Sequence, residues 1–126
     1  MSRLKIQLDG SFTRQPQDTL RGVASWELPQ APQDLEIRLC WVVTGAGVGE
    51  ARCVETCRVE APCAQGTHCF EFVLPDGPHS YHGALTMLHW AVEVIALPGR
   101  HCGRVTFVMG PEGKAVELFP STEKDE

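Results

Sequence analysis

The sequence has a single tyrosine, no run of Lys or Arg longer than one residue, and no apolar block long enough to cross a bilayer. Each shortage excludes something. Scattered basic residues and a net charge of −5 argue against nucleic acid, which needs clustered cations to displace its counterions. The longest apolar stretch, Trp90 to Leu97, is interrupted by Glu93 and is far shorter than a membrane-spanning helix. No apolar segment precedes a small-residue cleavage site near the N-terminus, so the expectation is a cytoplasmic protein. Extended helical periodicity is missing as well. Nine prolines and twelve glycines punctuate the 126 residues at short intervals and leave little room for helices.

What is present is period-two alternation. Hydrophobic content of 43% and charged content of 21% describe a globular chain, and its length fits one domain. Short alternating runs occupy Leu4–Leu8, Leu20–Leu28, Leu35–Val43, Glu50–Val59, His68–Leu74, Leu88–Val94, Arg104–Met109 and Lys114–Phe119. About eight strands, each with one apolar face, predict an all-β, immunoglobulin-like antiparallel β-sandwich of two sheets over residues 1–120, with a charged, frayed tail at 121–126. Trp41, Trp90, Phe70 and Phe72 are the expected centre of the core, with Val23 and Trp26 anchoring the second strand. The last two strands should form a hairpin around Gly110-Pro111-Glu112-Gly113. The loop after Val43 predicts a hairpin that sets Arg38 against Glu55, Leu39 against Val54, Ile37 against Thr56 and Cys40 against Cys53. Cys40 and Val42 then share the outer face and suggest an apolar patch there.

The segment from Phe70 to Leu97 carries a more specific pattern. A strand ends in Leu74-Pro75, and the loop Pro78-His79-Ser80-Tyr81-His82-Gly83 follows. The next strand holds Trp90-Ala91-Val92-Glu93-Val94. Upstream lie Thr19-Leu20-Arg21-Gly22-Val23 and Leu35-Glu36-Ile37-Arg38-Leu39. This order, over residues 3–109, resembles the arrestin domain. The resemblance implies an immunoglobulin-like sandwich used for protein contacts, of which arrestin-like proteins usually carry two in tandem. One such domain fills this sequence. The phosphate-sensing lysines of receptor-binding arrestins have no counterpart, since the matching strands offer only Arg14 and Arg21. A Pro-Pro-x-Tyr adaptor motif is missing too. The resemblance therefore carries over a fold and an adaptor-type role, and no functional residue. Tyr81 is expected over one end of the core with its hydroxyl on backbone.

Cys53, Cys57, Cys63 and Cys69 cluster near His68, and thiolates with imidazole suit zinc. Cys53 and Cys57 lie four positions apart on one strand, too far for one ion. Reduced thiols are the expectation for all six cysteines, the facing pair Cys40 and Cys53 included. Asp76, His79 and Ser80 have the residue types of a hydrolase triad, but five positions of one turn cannot hold a base between nucleophile and carboxylate. His79 and His82 suit a polar loop better than a metal. His89 and Glu93 share an outer strand face. Gly45, Gly47 and Gly49 lack the final glycine and the following helix of a dinucleotide loop. Neither a catalytic residue nor a cofactor or metal ligand is assigned. The expected function is a non-enzymatic interaction module, binding a protein or itself through edge strands or loops. The alternative is a metal- or redox-responsive protein built on Cys40, Cys53, Cys57, Cys69 and His68.

Overall fold

A computed structural model describes residues 2–111 and 114–117. Ten strands are formed among them: β1 (Arg3–Leu8), β2 (Thr13–Arg14), β3 (Thr19–Glu27), β4 (Asp34–Gly45), β5 (Val48–Arg58), β6 (Gln65–Val73), β7 (Tyr81–His82), β8 (Met87–Leu97), β9 (His101–Met109) and β10 (Val116–Glu117). They make the expected all-β, arrestin-like sandwich. One sheet has the order β1-β3-β6. The other runs β10-β7-β8-β4-β5, with β9 also on β8 and β2 on β9. The long neighbours pair antiparallel, and only the two-residue strands β2 and β10 pair in parallel.

The alternation places the core. Leu20, Ala24 and Trp26 of β3 and Phe70 and Phe72 of β6 turn inward. They meet Leu35, Ile37 and Leu39 of β4 and Leu88, Trp90, Val92, Val94 and Ala96 of β8. Two close approaches in the smaller sheet require glycine. Gly22 sits opposite Phe70, and a methyl there would overlap the phenyl ring and the Gln7 carbonyl. Gly66 sits opposite Trp26, whose indole occupies the space a side chain would need. Each glycine weakens its strand, and the aromatic lying over it restores the lost contact.

Four expectations are corrected. Trp41 is only half-buried, because one of its two cross-strand neighbours is Arg52 on the exposed edge strand β5. Val23 faces outward, since a strand that buries Leu20, Ala24 and Trp26 must turn the odd positions away. The hairpin register holds from Gly45 to Cys40, then slips at a bulge that leaves Val54 unpaired. Beyond it Arg38 faces Thr56, Leu39 faces Glu55 and Ile37 faces Cys57. Arg38 bonds Glu36 at 2.7 Å instead of Glu55. Finally, β9 pairs with β8 and β2, while Val116–Glu117 lies parallel to Tyr81–His82, so no β9–β10 hairpin forms. The rest of the expected last strand, part of its turn and the tail at 121–126 lie outside the described residues.

Candidate functional site

The loop between β6 and β8 is built into the fold from its backbone outward. Ser80 is 2% exposed, and its Oγ accepts the Met109 N–H at 3.0 Å. Its own N–H donates to the Met109 carbonyl, and its carbonyl accepts from Val116 N–H. One residue thus ties the end of β9 to β10. The fully buried Trp90 donates its indole N–H to the Pro78 carbonyl at 2.7 Å. A Pro/Gly/His turn precedes the most buried strand for a physical reason: the turn supplies the polar partners that a buried indole and a buried strand end require. Tyr81 is half-buried against the core as expected, but its hydroxyl meets Thr86 Oγ1 at 3.3 Å, not backbone. Ser80 Oγ faces a main-chain amide, while the Asp76 carboxylate accepts from the Gln17 side chain, so these two are engaged in different contacts.

The cysteines are spread over both sheets and one loop, with Cys69 on β6 of the smaller sheet, Cys63 before it, and the other four on β4, β5 and β9. All six are free thiols. Cys40 lies opposite Cys53 as expected, and on its other side opposite Ala91, which faces Thr106 on β9. Burial pushes the Cys40 thiol up to about 12, with Cys53 and Glu93 adding to the effect. A thiol held protonated in this way is a poor nucleophile and metal ligand. Cys53 Sγ contacts Thr56 Oγ1 at 3.3 Å. Among the described residues, no three His, Cys, Asp or Glu side chains come together in a way that could hold a metal ion. Cys40 and Val42 do share the outer face, but at 9% and 8% exposure they are covered, so the expected apolar patch is not there. Glu93 on that face bonds Arg104 at 3.1 Å, and His89 nearby is pushed below its usual value by burial and by Arg104.

One concave feature lies at the opposite end of the sandwich. A cleft of about 510 Å³ opens between the β3–β4 loop (Leu28 to Gln33) and the β8–β9 turn, with His101 among its lining residues. Apart from His101 its lining side chains are apolar or amide, with no Asp, Glu, Lys or Arg.

The sheet edges are the features sequence reasoning named without locating. Edge β1 is closed, because β9 crosses against it and a methyl on Gly103 would overlap the Leu4 carbonyl. Edge β5 is defended. It is bulged at Val54, and Glu50, Arg52 and Glu55 stand on the side that faces the core, opposite Val43, Trp41 and Leu39. Bulges and inward charges are the usual means of blocking strand addition. Edge β6 has neither. Its pairing with β3 runs without a register shift from Val73 to Gln65, and its one carboxylate, Glu71, is already bonded to Arg21 at 3.0 Å. At the ladder ends Leu28 N–H donates to the Ala64 carbonyl, and Leu74 N–H to the Asp18 carbonyl. Even-numbered residues of β6 therefore turn their main-chain groups to β3. Gln65, Thr67, Cys69, Glu71 and Val73 turn theirs to the open side. Only the sheet pairing reveals this.

One structural comparison bears directly on the architecture. Spo0M, a sporulation control protein from Bacillus subtilis, superposes with a TM-score of 0.61. The fold is shared. The two sequences are 14% identical, and the match covers 87% of this chain and 49% of that one, so this chain spans about half of Spo0M. No protein-family model matches the sequence, and no curated protein does. No helix among the described residues is long and apolar enough to cross a membrane.

Proposed function

We propose that this chain is a non-enzymatic protein-interaction module of the adaptor or regulatory kind, acting in the cytoplasm. The observation that carries the reading is the β6 edge. Along a regular strand of nine residues, five turn main-chain donors and acceptors to a side where no strand pairs among the described residues, without the bulge and inward charges that guard β5. An added strand gains affinity from those groups and specificity from alternate side chains. The likeness to a sporulation control protein agrees with a regulatory role. Purification of the intact chain with its bound protein, followed by reconstitution of the pair from separately produced components, tests this. A reconstituted complex that is lost on replacing Thr67 by Pro, which deletes one outward N–H, supports it. A chain that binds no protein, itself included, contradicts it.

A second reading, a redox-responsive pair, rests on Cys40 standing opposite Cys53. Treatment with oxidised glutathione should then convert the two thiols into one cross-strand disulfide, visible by peptide mass mapping. Two thiols still alkylatable after unfolding would exclude it. The protonated, buried Cys40 favours the first reading.

A further inference from the structure

Resting on the interaction reading above, we infer that the β6 edge takes a second copy of this chain, as an antiparallel β6–β6 pair centred on Cys69. The open side of β6 offers the N–H and C=O of Gln65, Thr67, Cys69, Glu71 and Val73. In a two-fold antiparallel pair these groups must meet the same set on the other copy. The register that uses all nine residues sets Cys69 on the axis, opposite Cys69 of the second copy. Thr67 then faces Glu71 and Gln65 faces Val73, each twice by symmetry. Every outward N–H finds a carbonyl, and β1-β3-β6 becomes one half of a continuous sheet.

Charge selects the same register. Glu71 is the only carboxylate on the strand, and facing Thr67 it meets a neutral hydroxyl. Sliding the copies until Glu71 meets Glu71 would oppose like charges and leave strand ends unpaired. On the core side Phe70 faces His68 of the other copy, an aromatic pair across the ladder. The edges β5 and β1 offer no such match. β5 would bring its bulge into the seam, and β1 is already covered by β9.

The register makes a signed prediction at an exposed position. Thr67→Lys places an ammonium opposite Glu71 of the other copy, and Thr67→Glu places a carboxylate there. Sedimentation equilibrium of the intact chain should show a reversible dimer. Lys at 67 should tighten it and Glu at 67 should weaken it, each by about 2- to 30-fold, because the pair occurs twice. The same changes at Ala51 on β5 should leave the dimer constant unmoved. A short bis-maleimide should also join Cys69 to Cys69, mapped by mass spectrometry of the linked peptides. A chain monomeric at every concentration overturns the inference. So does a dimer that responds to neither charge, responds to both alike, or links through cysteines other than Cys69. A monomeric chain that still binds a different protein through β6 would sink this inference and leave the interaction reading standing.

Discussion

Replacing Ser80 by Ala isolates the contact that locks the loop into the sandwich. The hydroxyl is 2% exposed and accepts the amide of Met109, which is itself fully buried. Alanine keeps the backbone bonds that Ser80 makes to Met109 and Val116. It leaves the Met109 N–H with no acceptor and no path to water. An orphaned buried donor costs about 1–3 kcal/mol, offset in part because the hydroxyl no longer has to be desolvated. The net loss should be about 1–2 kcal/mol, a sizeable share of the ~5–15 kcal/mol that holds a domain folded. With a urea m-value of about 2 kcal/mol/M, the midpoint should fall by some 0.5–1 M with the slope unchanged. Replacing Thr86 by Ala, which removes only the half-buried partner of Tyr81, should stay within about 0.5 kcal/mol. A Ser80→Ala midpoint indistinguishable from the parent, with far-UV signal intact, would refute the claim that this hydroxyl secures the end of β9.

Three further outcomes follow from the same contacts. Gly103→Ala should destabilise by about 1–3 kcal/mol and speed amide exchange in β1, because the new methyl meets the Leu4 backbone and not a side chain that could move aside. Stability should decline with pH above about 9. The unfolded Cys40 thiol ionises there, while the folded one waits until about 12, and the slope is at most about 1.4 kcal/mol per pH unit. Cys40→Ala should flatten that slope in urea titrations, and an unchanged slope would show the thiol is not held protonated. Native alkylation at pH 8 should modify the exposed Cys53, Cys63, Cys69 and Cys102 in minutes and leave Cys40 for the unfolded chain, as read by intact mass.

Period-two alternation made the sandwich legible, because a strand half-buried against another sheet records its two faces in its own sequence. Trp90, Phe70 and Phe72 were placed correctly on that basis. The misses have local causes. Glu55 and Arg38 carry complementary charge, which suggested a facing pair, but the bulge at Val54 shifts one strand by a residue, and two adjacent registers of a charged edge strand read almost equally well. Trp41 looked like core because tryptophan usually is. Its exposure depends on Arg52 across the ladder, a neighbour fixed only by tertiary pairing. The parallel contact of β10 with β7 is two residues long and leaves no periodic trace. Edges were anticipated as the binding surface, yet which edge is open follows from sheet order, and Leu4 against Gly103 cannot be read from spacing. Cys40 opposite Cys53 was legible because it lies on the turn side of the bulge, where the hairpin loop still sets the register.

Residue-resolved amide exchange along β6, followed from dilute to concentrated protein, tests the open edge most directly. Gly66, His68, Phe70 and Phe72 should be protected throughout, since their amides face β3, whereas Thr67, Cys69 and Glu71 should exchange freely when dilute and slow as strands pair. Equal protection of odd and even positions in dilute solution would mean that the edge is already covered, and the reading of β6 as a binding surface would be wrong.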